Sequence, residues 1–231
     1  MADLTQTDAT AFHDAVVVVV SENSRFGALL GDEMADAGAE VAMLNGGESV
    51  DAAAVNAAIG DVVARHRRID SFVYVLNEVG PDSLADMRNA HWDNTRQLSR
   101  RMFWYYRAVG KQMAKQRQGS MIGVHFGINA CGDAHMLSWA VLGEMLVGMS
   151  KCLAVELLKQ NVRVNTLAYG YMDDVGYAAF AHDDLEGYRR YFGIQRKGTA
   201  KDVAGAVKLL AGGEGCYITG QSIHVNGGLI I

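Results

Sequence analysis

Short runs of apolar, β-branched residues alternate along the chain with longer segments in which apolar residues recur every three or four positions. The short runs are bounded by Gly, Asn or Asp, as is typical of buried parallel strands. They predict six strands, at Ala15–Val20, Val41–Leu44, Ser71–Leu76, Met121–His125, Val162–Leu167 and Ser222–Val225. The longer segments predict five helices, at Phe26–Ala37, Val50–Arg67, Trp92–Arg117, Leu137–Gln160 and Lys201–Ala211.

This alternation implies right-handed crossovers between parallel strands. We therefore predict the α/β class, with a doubly wound parallel sheet in one domain that spans residues 1–231. The length of 231 residues and a hydrophobic content of 50% are sufficient for a large core. No linker or repeat divides the sequence.

The charge and the cysteine content exclude several function classes. A net charge of −5 and a pI near 5.8 give no electrostatic reason to expect nucleic acid or an anionic membrane as a partner. The first residues are polar and acidic, unlike a signal peptide, and we expect no membrane span. The three cysteines, Cys131, Cys152 and Cys216, are too few and too widely spaced for a disulfide framework. These features predict a soluble cytoplasmic protein.

Three blocks of sequence carry a family resemblance. They are IDSFVYVLNEVG at Ile69–Gly80, NVRVNTLAYG at Asn161–Gly170, and DVAGAVKLLAGGEGCYITGQSIHVNGG at Asp202–Gly228. In content and order they resemble the short-chain dehydrogenase/reductase family over essentially the full length. The resemblance implies a Rossmann-type domain, a dimer or tetramer, and a nicotinamide cofactor.

The resemblance places the three glycines of the family's phosphate-binding turn at Ser21, Arg25 and Gly27. Glycine at these positions lets the pyrophosphate approach a helix N-terminus. Here Glu22 would place a carboxylate near the phosphates, at a cost of about 4 kcal/mol at intermediate dielectric. The helix terminus returns only about 0.3–1 kcal/mol. Asn45 stands where an acidic residue would hold the adenine ribose. We therefore interpret residues 21–27 as a polar strand–helix turn without a dinucleotide.

The catalytic positions of the family are also substituted. The resemblance places Trp139 at the catalytic tyrosine, Gly143 at the lysine that lowers the tyrosine pKa, and Phe126 at the serine. An indole N–H cannot act as a general acid at neutral pH. The expected asparagine falls on Leu98 or Ser99.

No tyrosine in the chain has a lysine four residues later, and Tyr169 replaces the proline that usually precedes Gly170. We therefore predict no catalytic, no cofactor-binding and no metal-ligating residue in this chain.

Other constellations favour ordinary structural roles. Cys131, Asp133 and His135 match no established zinc spacing. Ser138, with His135 or His125, lacks the turn of a nucleophile and is interpreted as a helix-start serine. His224 is interpreted as an ordinary strand histidine. Five basic residues on the third predicted helix suggest a solvated or interface-rim face rather than a site for a CoA ester. They are Arg96, Arg100, Arg107, Lys111 and Lys115.

The Leu137–Gln160 segment is apolar nearly all round, and a helix packed on a sheet has one face left for water. We expect another subunit to cover that face, with Gly143 and Gly148 allowing close helix approach. The neighbouring aromatic run Met102–Tyr106 and the apolar end Ser222–Ile231 extend the expected interfaces. Tyr171–Ala200 is short and acidic, which is poorly suited to enclosing a substrate.

These expectations converge on a pseudoenzyme. We expect a non-catalytic subunit of a hetero-oligomeric tetramer, whose other subunit is an intact homologue that binds NAD and transfers hydride. The alternative is a nucleotide- or ligand-sensing regulator of the same fold.

Overall fold

A computed structural model describes residues 12–21, 25–48, 51–76, 84–85, 87–127, 132, 136–173, 193–194 and 196–230. Strands and helices alternate through these residues. In chain order they are β1 Val16–Ser21, α1 Arg25–Asp36, β2 Glu40–Asn45, α2 Ala52–His66, β3 Ser71–Val75, α3 Asn89–Gln116, β4 Gly119–Phe126, α4 Leu137–Glu156, β5 Val162–Tyr169, α5 Ala200–Ala211 and β6 Ser222–Val225.

The six strands form one parallel sheet in the order β2-β1-β3-β4-β5-β6. The apolar run of β1 is buried throughout, because Val17–Val20 pair with β2 on one side and with β3 on the other. This buried position explains why β1 is continuously apolar rather than alternating. The predicted α/β class and doubly wound parallel sheet are confirmed.

Helices cover both faces of the sheet. Helices α1 and α5 contact each other on one face, and α2, α3 and α4 form a layer on the other. The Ser120 hydroxyl of β4 donates to the carbonyl oxygen of Leu210 in α5, at 2.8 Å. On the opposite face Gly123 permits a close approach, since a Cβ there would lie 2.7 Å from the Tyr106 hydroxyl and 2.8 Å from Leu146.

In the described part of the chain, the sheet has fewer strands on one side of its centre than on the other. The doubly wound dinucleotide fold has three strands on each side of the point where the strand order reverses. Here that point lies between β1 and β3, and only β1 and β2 stand on the first side. Strand β2 is therefore an edge strand, and its residues are half-buried or exposed, with 47% of Met43 accessible.

Helix boundaries differ from prediction where capping groups act. Helix α2 begins after Asp51, whose carboxylate accepts from the backbone N–H groups of Ala53 and Ala54 at 2.9 Å. The predicted helix Leu137–Gln160 is wrong at its end. Helix α4 stops at Glu156 and a short 3-10 turn follows at Leu158–Gln160, which ends at Asn161 in the left-handed conformation.

Among the described residues, α4 is the one helix long and apolar enough to cross a membrane by length and composition. The sequence-based expectation of no membrane span identified no helix of this kind. Helix α4 packs on β4 and β5, with Trp139, Leu142 and Leu146 buried, which is how a core helix behaves.

Candidate functional site

The strand order reverses between β1 and β3, whose carboxyl ends lie side by side at one edge of the sheet. Ligands of open α/β sheets bind in the crevice at such a point. Ser21 ends β1 and is 5% exposed, and Leu76 follows β3 and is 1% exposed. The ends of β4 and β5, at Phe126 and Tyr169, complete this edge of the sheet.

Five aromatic side chains meet at this edge, and we call them the aromatic plug: Phe26, Phe126, Trp139, Tyr169 and Tyr171. Phe126 lies at the centre. Its ring centroid is 5.9 Å from that of Trp139, 5.7 Å from that of Tyr169 and 5.5 Å from that of Tyr171. Phe26 of α1 closes the other side, 4.9 Å from Tyr169. These separations are those of favourable aromatic pairs.

All five rings of the aromatic plug are 5% exposed or less. Their packing joins α1, β4, α4 and the residues that follow β5 into one apolar cluster. The cluster has no charged group, and neither Tyr169 nor Tyr171 has a lysine four residues later that would lower the pKa of its phenol toward neutrality. The predicted positions Phe126 and Trp139 are thus brought into contact, in a packing role.

His125 lies beside the aromatic plug and is 1% exposed. Its Nδ1 lies 3.1 Å from the carbonyl oxygen of Phe126, so Nδ1 carries the proton of the neutral ring. Burial lowers the pKa of His125 to about 4, with a smaller contribution from His224 and opposing ones from the Phe126 carbonyl and Glu144. His125 is therefore neutral at physiological pH. Within the described part of the chain its Nε2 has no hydrogen-bond partner.

Ser138 has a buried hydroxyl whose hydrogen-bond partner lies on another helix. Its Oγ and that of Thr95 in α3 are hydrogen-bonded at 2.9 Å, and the two residues are 2% and 1% exposed. Ser138 lies in the first turn of α4, as interpreted, but it does not cap the helix, because Met136 occupies the cap position and makes no side-chain cap hydrogen bond. Thr95 lies 43 positions away, so no local pattern identifies it as the partner of Ser138.

The degenerate phosphate-binding turn is described only at its ends. Arg25 begins α1 and is exposed, whereas Gly27 is buried. Glu22 lies outside the described residues. Asn45 ends β2, and its Oδ1 accepts from the backbone N–H of Gly47 at 3.0 Å, which supports the turn at Gly46–Glu48.

The other residues that the sequence singled out are not members of the aromatic plug. Cys131, Asp133 and His135 lie outside the described residues. Within the described residues, no group of metal-ligating side chains occurs.

His224 is exposed on β6. The five basic residues of α3 are all exposed, as expected for a solvated or rim face. Gly143 is buried, so only Gly148 lies where the close helix approach was expected.

A cavity of about 520 Å³ lies beside the carboxyl end of β6. Its described lining includes Tyr171, Ile194 and Asn226, together with an ion pair in which Arg196 donates two hydrogen bonds of 2.7 Å to Asp202. Asp202 also accepts from the Thr199 backbone N–H at 2.8 Å. These partners, Arg196 foremost, hold the pKa of Asp202 well below its usual range. Each charge of the pair is satisfied within the protein.

Comparison with known proteins fits this fold. The family model described as enoyl-(acyl carrier protein) reductase matches residues 7–230. The chain belongs to the short-chain dehydrogenase/reductase family. The 3-oxoacyl-(acyl-carrier-protein) reductases FabG of Salmonella typhimurium and Escherichia coli are each 28% identical over 180 residues, which are 78% of this chain and 74% of theirs. Nodulation protein G of Rhizobium meliloti is 33% identical over 144 residues, 62% of this chain and 59% of its own.

Within this short-chain dehydrogenase/reductase fold, the structure brings three of the substituted positions together: Phe126, Trp139 and Tyr169. The sequence identified each of them as a substituted position, but it did not predict that Phe126 contacts both Trp139 and Tyr169. It also missed Phe26 and Tyr171. The available signal was that bulky aromatic residues stand at the ends of successive strands, where a crevice is expected.

Proposed function

We propose that this chain is a non-catalytic subunit of a hetero-oligomeric, NAD-dependent short-chain dehydrogenase, and that it supports a catalytically intact homologous subunit. The observation that carries the proposal is the aromatic plug. Where the family resemblance places a tyrosine, a serine and the space for substrate, Trp139 and Phe126 are buried against each other at 5.9 Å. A proton must be moved at that place for hydride transfer to a carbonyl.

The proposed absence of a cofactor in this chain has independent support. The phosphate-binding turn carries Ser21 and Arg25 in place of glycines, so a backbone without Cβ does not line the pyrophosphate site. Asn45 uses its side chain to hold Gly47. Among the described residues the sheet ends at β2, one strand short of the dinucleotide fold on this side of the crevice. In the proposed complex NAD binds to the partner subunit.

The surface of α3 and α4 supports the proposed assembly. We call this surface the α3–α4 face. It exposes large apolar side chains, with 44% of Phe103, 39% of Val141 and 72% of Val155 accessible, and Met145 and Met149 are half-buried there. Covering a side chain of this size is worth about 1.5–3 kcal/mol when its burial is complete. A partner on this face would recover that stabilisation.

The substrate class is proposed from the relatives. Their names refer to acyl groups on acyl carrier protein, so the partner subunit would act on an acyl thioester. A hydroxyacyl-CoA is the form we propose, such as hydroxy(phenyl)methyl-succinyl-CoA of anaerobic toluene degradation. The complex would be a cytoplasmic tetramer, without nucleic acid or membrane partners.

Purification from the native source tests this proposal. We expect a stoichiometric homologue to co-purify that has the glycine-rich turn, the tyrosine and the lysine four residues later. The chain expressed alone should oxidise no hydroxyacyl thioester and reduce no 3-oxoacyl thioester with NAD(H) or NADP(H). Turnover by the isolated, homogeneous chain would overturn the proposal.

A nucleotide- or ligand-sensing regulator is the second candidate. The cavity of about 520 Å³ beside β6 favours it, since its size suits a small ligand. Calorimetry of the isolated chain with NAD(H) and NADP(H) separates the two functions. Micromolar binding supports the sensor, and the absence of heat supports the non-catalytic subunit.

A further inference from the structure

The outer side of α3 carries a line of basic residues. Arg96, Arg100, Arg107, Lys111 and Lys115 are separated by four, seven, four and four residues, which puts them on one side of the helix. All are exposed. Only Arg96 has an acidic partner among the described residues, Asp93 at 2.9 Å.

Aromatic side chains interleave with this basic line. Phe103 and Trp104 lie on the same side of α3 and pack edge to face at 5.0 Å, and the Arg107 guanidinium lies 5.6 Å from the Trp104 ring. Trp, Phe and Arg are the residue types enriched at the centres of protein–protein interfaces. The composition of this surface therefore points to a protein partner.

A groove of about 490 Å³ runs between α3 and α4 beneath these side chains. Phe103, Met149 and Leu153 give it apolar walls, Arg107 and Lys111 line its α3 side, and Glu156 lines its α4 side. The groove lies between two helices and has apolar walls, which fits an amphipathic helix of another subunit.

The charge of this surface is opposite to that of the chain. Six basic side chains and one acidic side chain give α3 a net charge of +5. Glu144, Lys151 and Glu156 give α4 a net charge of −1, so the two helices together carry +4 in a chain whose total is −5. A two-fold pairing of identical chains sets the same surface against itself. It would therefore bring two surfaces of +4 together.

We propose that the α3–α4 face docks onto the corresponding helices of a non-identical subunit that is acidic there, and that its basic charge disfavours pairing with a second copy of this chain. Apolar contacts supply the attraction in either pairing, and the charges select between them. This inference deepens the proposed function, on which it rests, by stating the chemistry of the partner's surface.

The experiment uses this chain as its own probe. The variant R107E/K111E/K115E replaces three exposed basic residues with glutamate, a good helix former, and changes the charge of α3 from +5 to −1. Sedimentation velocity is measured on wild type, on the variant and on their equimolar mixture at about 50 mM salt, where charges are weakly screened. Circular dichroism confirms that each protein is folded.

We expect the mixture to form dimers at least about tenfold more tightly than wild type alone, and the preference to fade as the salt concentration is raised. The control variant R65E/R67E/K201E reverses three exposed charges on α2, its C-terminal cap and α5, away from the groove. Its mixture with wild type should associate no more tightly than wild type alone. Equal association of the mixture and of wild type, or preference by the control, overturns the inference.

The outcome is distinguishable from failure of the proposed function. Turnover by the isolated chain would refute the non-catalytic role, whatever the mixtures do. Conversely, an intact homologue that co-purifies, together with mixtures that show no charge preference, would refute only the electrostatic selection.

Discussion

The rings of Phe126 and Trp139 meet edge to face, with their centroids 5.9 Å apart and their planes inclined by 76°. Phe126 is the last residue of β4 and Trp139 lies in the first turn of α4, so this contact joins the sheet to the helix. Both side chains belong to the main core cluster. The aromatic side chains at the carboxyl edge of the sheet therefore contribute to the stability of the fold.

Removing the Trp139 ring should destabilise the isolated chain strongly. We expect Trp139→Ala to lower the free energy of unfolding by about 3–5 kcal/mol, because a buried aromatic side chain is replaced by a cavity. Urea denaturation measures this change. Trp92→Ala is the matched control, since Trp92 is 52% exposed, and it should cost less than about 1 kcal/mol. Equal effects of the two substitutions would contradict the packing role of Trp139.

The buried imidazole of His125 should make stability depend on pH. Burial lowers its pKa to about 4 in the folded chain, against about 6.5 when unfolded. The unfolded chain therefore binds the proton first as pH falls. The stability contribution is complete above pH 6.5 and is lost between about pH 6.5 and 4, by about 3 kcal/mol.

The variant His125→Gln isolates this contribution, because glutamine does not titrate. Subtracting its unfolding free energy from that of wild type at each pH removes the effect of carboxylates such as Asp202. That carboxyl has a lowered pKa and loses its contribution only at still lower pH. A pH-independent difference between the two proteins would show that His125 titrates normally.

The hydroxyls of Thr95 and Ser138 should be coupled. Thr95→Val or Ser138→Ala leaves a buried hydroxyl without this partner, at a cost of about 1–3 kcal/mol each. The double variant should cost less than the sum of the two single variants, because neither hydroxyl of the pair then remains. A double-mutant cycle in urea measures the coupling, expected at about 0.5–1.5 kcal/mol. Strict additivity would mean that the two hydroxyls do not interact.

The strands of the sheet could be predicted because the apolar runs in the sequence are the segments that the fold buries. A continuous valine run such as Val16–Val20 is stable only as a buried parallel strand, and the sequence shows it directly. The end of α4 was not predictable, because apolar residues continue through Leu157 and Leu158 while the chain tightens into a 3-10 turn. The aromatic plug depends on contacts between residues far apart in sequence, such as Phe26 and Tyr169. Periodicity carries no information on such contacts.

Restoring the family residues should not restore hydride transfer. The variant F126S/W139Y/G143K supplies the serine, the tyrosine and the lysine at the positions that the family resemblance gives them. Tyr169 and Tyr171 still occupy the site, Ser21 and Arg25 remain in the turn, and β2 remains the edge of the sheet that the described residues form. Gly143 is buried, so its lysine must also be desolvated. We expect no NADH consumption with acyl thioesters, and no NADH binding by calorimetry, from a variant that circular dichroism shows to be folded. Measurable turnover would locate the loss of function in these three residues alone, and would contradict the inference that the cofactor half of the crevice is also lost.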